Sequence, residues 1–183
     1  GIAYVSEDRL NLGLNMRQSV GANLVLASLA RLAGKIGWIG PKKRRALAET
    51  WVDKLRIRIP GLDNPVQQLS GGNQQKLIVG REMSHNPKVL VASHPTRGVD
   101  VGAQSSIWDL IRKARHEGLG VLLISADLEE LIGLSDTIKV ILRGRLTGEF
   151  DPDHVTSQDL GAAMTGADGS HDEHPSDTTG AAR

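Results

Sequence analysis

Leu69-Ser70-Gly71-Gly72-Asn73-Gln74-Gln75-Lys76 is the stretch on which the reading of this chain turns. Paired glycines let a backbone approach a ligand closely. Ser70 is placed to cap a helix that runs from about Asn73 to Ser84, with Gln68 to Gly72 as a loop. The N-terminus of such a helix offers free N–H groups and a positive dipole end to a phosphate. Ser-Gly-Gly alone is also an ordinary helix cap, so its meaning depends on what surrounds it.

Downstream, Lys88-Val89-Leu90-Val91-Ala92 is a short apolar run of the type buried on both faces of a parallel sheet. Gly120–Ser125 is a second such strand. Between them Ala103–Glu117 has helical periodicity and Gly118 closes it. Asp127–Leu134 reads as a short helix. Thr137–Leu142 and Arg145–Phe150 read as a hairpin turning at Arg143-Gly144, and Ser157–Met164 as a last helix. Upstream, Gly1–Val5 reads as a strand and Gln18–Arg31 as a helix. Pro41–Arg56 is a helix with Pro in its first turn. A Gly-broken connection, Lys35–Gly40, lies between those two helices. The alternation predicts an α/β domain with a parallel sheet over 1–165 and an inserted helical subdomain over about 9–68. From Gly166 to Arg183 little can be buried, which predicts a disordered tail.

Composition narrows the field. The 183 residues suffice for one domain with a core, and 3% aromatic content leaves that core to Leu, Ile, Val and Ala. A net charge of +1 makes no electrostatic case for nucleic acid or an anionic membrane. The absence of cysteine excludes disulfides and Cys-ligated metal sites. No apolar run approaches the ~20 residues of a membrane span, and no signal-peptide layout is present. The chain opens at Gly1 inside a strand-like run, so the front of the domain is expected upstream.

With the motifs in view, the stretch at Leu69–Lys76 resembles the signature motif of the ABC ATPases, in the form found in sugar and nucleoside importers. Val89–Ala92 followed by Pro95-Thr96-Arg97-Gly98-Val99-Asp100 is similar to that family's Walker B strand and D-loop. The resemblance covers roughly 1–165. The departures are as informative. Ser93 and His94 stand where active members have Asp-Glu, and Ser93 carries no charge to compensate a divalent ion. His94 could act as a base or simply fill the position. Ala126 stands at the switch-histidine position. Glu7 is the nearest match to the Q-loop glutamine, and Asp8-Arg9 beside it is expected to form a loop ion pair. No Gly-x-x-x-x-Gly-Lys-Ser/Thr P-loop occurs in the chain.

The resemblance implies two ATPase domains packed head to tail, with ATP and Mg²⁺ bound through the complete dimer. The partner domain is expected to be fused upstream. Leu69, Ser70, Gly71, Gly72, Asn73 and Gln74 would close the partner's ATP site in trans, and Val99 and Asp100 would form the D-loop between the sites. The site built on Ser93, His94 and Ala126 is expected to be hydrolytically weak, and the chain alone inactive. Val20–Leu55 and Glu7–Arg9 would face transmembrane permease subunits at the cytoplasmic side of the membrane. The implied cargo is a sugar or nucleoside. The rival readings are a non-transport ABC ATPase and a non-hydrolytic docking module. Lys42-Lys43-Arg44-Arg45 lacks aromatic companions and reads as a solvated helix face rather than a nucleic-acid contact. His171 and His174 read as tail residues, with adventitious metal binding as the alternative. Trp51 and Trp108 read as core.

Overall fold

The computed structural model describes residues 1–33 and 39–166. The expected connection at Lys35–Gly40 therefore lies outside the described residues except for Ile39 and Gly40, and the expected tail lies outside them except for Gly166. The chain divides into two units, Gly1–Glu130 and Leu131 onward.

The first unit is built on a parallel sheet of three strands in the order β1 (Ile2–Val5), β2 (Val89–Ser93), β3 (Gly120–Ile124). Ile2 pairs with Val89 and Val5 with Ala92, while Val89 pairs with Gly120 and Ser93 with Ile124. Alternation along the strands then sorts the side chains onto two faces. Ala3, Val5, Leu90 and Ala92 are buried on one face. Ile2, Tyr4, Val89, Leu122 and Ile124, on the other, are exposed. The expectation that β2 is buried on both faces is thus corrected. The described helices pack on one side of the sheet only, and an apolar run cannot by itself reveal which sides are covered.

Five helices accompany this sheet: α1 (Val20–Val25), α2 (Leu29–Leu32), α3 (Pro41–Lys54), α4 (Gly71–Met83) and α5 (Val101–His116). Ser19 caps α1 by accepting from the Ala22 N–H. The continuous helix expected over Gln18–Arg31 is interrupted by a tight turn at Leu26–Ser28. There the buried Ser28 hydroxyl meets the Ser84 hydroxyl at 2.7 Å, and Arg31 donates to the Ser84 carbonyl at 2.6 Å. These ties draw the chain onto the end of α4. Pro41 occupies the first position of α3, where its missing N–H costs nothing. The helix ends before Arg56, whose φ of 48° is left-handed. α4 is the centre of the unit. Every residue from Gln74 to Gly80 is buried, against α1, α3, α5 and β1. Gly118, at φ 96°, stops α5 as expected.

α6 (Leu128–Leu134) leads into the second unit, an antiparallel hairpin of β4 (Ile138–Leu142) and β5 (Arg145–Phe150) followed by α7 (Ser157–Thr165). Arg143 and Gly144 have φ of 50° and 79°, the two positive values that a tight primed turn needs. Thr156 and Asp159 form a reciprocal capping box at the start of α7. Leu160 of α7 is fully buried, and Ile138 and Val140 of β4, on which the helix packs, are buried. No described helix is long and apolar enough to cross a membrane.

Candidate functional site

The site begins with Ser70. Its backbone is extended, and its hydroxyl accepts from the Asn73 N–H at 3.4 Å and from Asn73 Nδ2 at 2.9 Å. Capping by Ser70 makes Gly71 and Gly72 the first two helical residues, so α4 starts two residues before the expected Asn73. Helix-starting residues have N–H groups with no partner inside the helix, and the Gln74 N–H is the first to reach back, to the Ser70 carbonyl at 2.9 Å. The polar side chains of the motif hold its backbone. Gln74 is buried and donates to the Leu69 carbonyl at 3.0 Å, and Asn73 Oδ1 accepts from the Arg58 N–H at 2.9 Å. Leu69 is itself buried and anchors the turn from below.

Both glycines have close neighbours. A Cβ on Gly72 would lie 2.7 Å from Asp100 Oδ2 and 3.0 Å from the Ala103 Cβ. A Cβ on Gly71 would lie 2.9 Å from Arg9 Nη2. The start of α4 therefore abuts both the Pro95–Asp100 loop and the turn that carries Arg9.

Asp100 caps α5, accepting from the Ala103 N–H at 2.9 Å. That hydrogen bond, with smaller help from Gly102 and the charge of Lys76, holds its carboxyl below the ordinary carboxylate value. Burial pulls the Lys76 ammonium down, with the charge of Asp100 opposing. Val99 is half-buried beside Asp100. Thr96 is held from inside: its hydroxyl donates to Glu130 Oε1 at 2.6 Å, and the Trp108 indole donates to the same oxygen at 3.3 Å. Glu130 is fully buried, and nothing in its sequence surroundings marked it.

At the ends of β2 and β3 the groups are sparser. His94 adopts a left-handed φ of 45°, and its N–H donates to the Ile124 carbonyl at 2.8 Å. Glu7 Oε2 lies 3.8 Å from His94 Nε2 and 3.5 Å from Arg97 Nη1, so the structure brings Glu7, His94 and Arg97 together. Ser93 is half-buried at the end of β2, and Ala126 is exposed in the loop after β3. Among the described residues no group of three His, Cys, Asp or Glu could hold a metal ion.

The expected Asp8–Arg9 ion pair does not form. The Asp8 carboxylate caps the Arg9–Gly13 turn instead, accepting from the Asn11 N–H at 3.0 Å and from Asn11 Nδ2 at 2.9 Å. Those bonds, the side-chain one foremost, lower its pKa. Arg9 reaches away and donates to the Arg97 carbonyl at 3.2 Å. No sequence signal marked Arg9 for this contact, because its partners are distant along the chain.

This geometry can be set beside known proteins. No family model matches the chain. It is 42% identical over 160 residues to an import ATP-binding protein of Agrobacterium fabrum named for ribose, galactose and methyl galactoside, covering 87% of this chain and 32% of that protein. It is 40% identical over 166 residues to the xylose import ATP-binding protein of Moorella thermoacetica, covering 91% of this chain and 32% of that protein. The chain thus spans about a third of the length of the curated relatives it matches. In fold it is similar to a dimeric ATP-binding cassette in a post-hydrolysis state bound to ADP and phosphate, with a TM-score of 0.71 and 21% identity over 82% of this chain and 62% of that one. The architecture is that of a partial ABC-type P-loop NTPase domain, α/β, with a parallel sheet and inserted helices. By sequence the chain is similar to part of the import ATP-binding proteins named for ribose, galactose and xylose.

Proposed function

We propose that this chain is part of the ATP-binding subunit of an ABC importer for a sugar or nucleoside. In this reading it supplies the signature loop Leu69–Gln74 to an ATP held by the P-loop of a partner ATPase domain. The observation that carries the reading is the start of α4. The N–H groups of Gly71 and Gly72 open a helix capped by Ser70, and the motif's own side chains hold the backbone in place. Fixed backbone donors at a helix N-terminus suit the charge that develops on a transferring phosphoryl group. These residues fit a phosphate. Ser93 and His94 do not fit a divalent ion, since they offer no carboxylate. The site built on Ser93, His94 and Ala126 is therefore read as hydrolytically weak, and the Mg²⁺ that neutralises phosphate charge during hydrolysis is assigned to the partner's site. The partner domain is read as fused upstream. By itself the chain, whose sequence contains no P-loop motif, is expected to bind ATP poorly.

The permease face is read as the Glu7–Arg9 loop with Val20–Leu55. Exposed Leu10, Leu12 and Leu26 on that side support it. Such a subunit works peripherally at the cytoplasmic face of the membrane, where closing of the ATPase dimer drives the permease between its access states. The lack of a carboxylate at Ser93 and His94 also favours a second reading, a non-hydrolytic docking module.

One comparison tests both readings. In the assembled ATPase with its permease, Gly71→Asp puts bulk and negative charge against the partner's phosphates and is expected to remove most ATP turnover. His94→Ala is expected to leave turnover within about twofold of wild type. Loss of turnover in His94→Ala with full turnover in Gly71→Asp contradicts the proposal. Full turnover in both variants supports the docking module.

A further inference from the structure

Arg9 joins three segments that are far apart in sequence. Its Nη2 lies 2.9 Å from the point a Cβ on Gly71 would occupy, and its Nη1 donates to the Arg97 carbonyl at 3.2 Å. Gly98, at φ 67°, faces the same guanidinium, with 3.8 Å between its Cβ position and Nη1. The Nε atom is buried and has no hydrogen-bond partner among the described residues. The guanidinium thus meets one carbonyl and lies beside two glycines, and a lysine lacks its planar fork of donors.

The backbone beneath Arg9 is equally constrained. Arg9–Gly13 is a wide helical turn closed by the Gly13 N–H on the Asp8 carbonyl at 2.9 Å. Single wide turns of this kind are frequent at functional sites. At the far end of the turn, the Gly13 carbonyl accepts from Arg81 Nη1 at 2.6 Å. The turn is therefore tied to α4 through Arg81 and to the Arg97 carbonyl through Arg9, whose guanidinium passes beside Gly71. Between the two fastenings Leu10 and Leu12 are 55% and 75% exposed.

We propose that Arg9 is a positioning residue that sets the start of α4 against the Arg97–Gly98 loop and so fixes the N–H groups of Gly71 and Gly72. The proposal rests on the reading that these groups close a partner's ATP site. It assigns Arg9 no contact with ATP. Its effect runs through Gly71.

The test is steady-state ATP turnover by the assembled ATPase with its permease, comparing wild type with Arg9→Ala, Arg9→Lys and Gly71→Asp. A positioning role predicts that Arg9→Ala lowers kcat about tenfold and moves KM for ATP less than about twofold, because ground-state binding rests on the P-loop. Arg9→Lys is expected to fall with it, since an ammonium keeps the charge and loses the planar fork. Turnover by Arg9→Lys within about twofold of wild type, or a loss confined to KM, overturns the proposal. Hydrogen exchange gives a readout independent of turnover. The Gly71 and Gly72 amides are expected to exchange faster in Arg9→Lys while those of α5 hold, and unchanged exchange overturns the proposal. Gly71→Asp separates the two levels. Full turnover there overturns the signature-loop reading itself. Lost turnover there, beside normal turnover in Arg9→Ala, overturns only the role given to Arg9.

Discussion

The start of α4 and the ends of β2 and β3 lie in one unit and resemble neighbouring motifs of one family, yet they are built differently. At the start of α4 three polar side chains hold backbone groups. Ser70 caps the helix, Gln74 holds the Leu69 carbonyl and Asn73 holds the Arg58 N–H. The helix behind them is buried throughout its middle. At the strand ends, Ser93 and Ala126 are short side chains without charge. Glu7 meets His94 and Arg97 at separations of 3.5 Å or more, beside a sheet face that carries exposed Leu122 and Ile124. Packing and hydrogen bonding are concentrated in the part proposed to act on a partner's ATP. A loop that must present N–H groups at fixed positions needs its backbone held from behind.

That contrast can be broken or sharpened by substitution, and the effects should fall in order. The largest is expected for Gly71→Asp, with ATP turnover of the assembled protein down by about a hundredfold or more. A small loss would mean that the well-built end of α4 does no chemistry. Next comes Leu77→Ala, which empties a fully buried position in the middle of α4. It is expected to lower unfolding free energy by about 2–5 kcal/mol in denaturant titrations. A cost under about 1 kcal/mol would deny α4 its central place. Glu130→Ala strands the Thr96 hydroxyl and the Trp108 indole N–H in the interior, at an expected cost of about 1–3 kcal/mol. It should loosen the Pro95–Asp100 loop in hydrogen exchange.

Smaller still is an effect of pH. The Asp100 carboxyl is held below its ordinary value of 3.8, first by the Ala103 N–H. A depressed carboxylate contributes stability that is complete above the unfolded value and is lost as pH falls through the lower folded one. Asp100→Asn should therefore flatten the fall in stability below about pH 4, read from urea midpoints across the acid range. An unchanged acid profile would remove Asp100 from the account. The smallest effect is expected for His94→Ala, within about twofold in turnover.

Much of this was legible in the chain because the signals are local. Ser70 as a cap, Pro41 at a helix start, Gly118 as a stop and the positive φ pair at Arg143-Gly144 each follow from the chemistry of one or two residues. The signature-like stretch is legible as a motif, but its helix starts two residues earlier than the sequence predicts. The glycines looked like loop, whereas Ser70 as cap makes them helix. What could not be read is what depends on distant partners. Arg9 sits beside an aspartate, and a local reading pairs the two. The turn gives Asp8 to Asn11 and sends Arg9 across to Gly71 and the Arg97 carbonyl. Glu130, in a charged Glu-Glu pair, carries no local signal of burial, yet it is buried and bonded by Thr96 and Trp108. β2 reads as covered on both faces, and only the fold shows that one of them is open. The interruption at Leu26–Ser28 has no Gly or Pro to announce it and goes with the pairing of Ser28 with Ser84.

The central claim is that Ser70–Gly72 close an ATP bound to another domain, and an ATP-dependent cross-link tests it most directly. The chain contains no cysteine, so Ser70→Cys introduces a unique thiol. It can be paired with a single cysteine placed in the P-loop of the partner domain within the assembled, otherwise cysteine-free ATPase. The account predicts a cross-link that forms with ATP bound under non-hydrolysing conditions and disappears in Gly71→Asp. No cross-link with ATP, or one that forms equally without nucleotide, would contradict it.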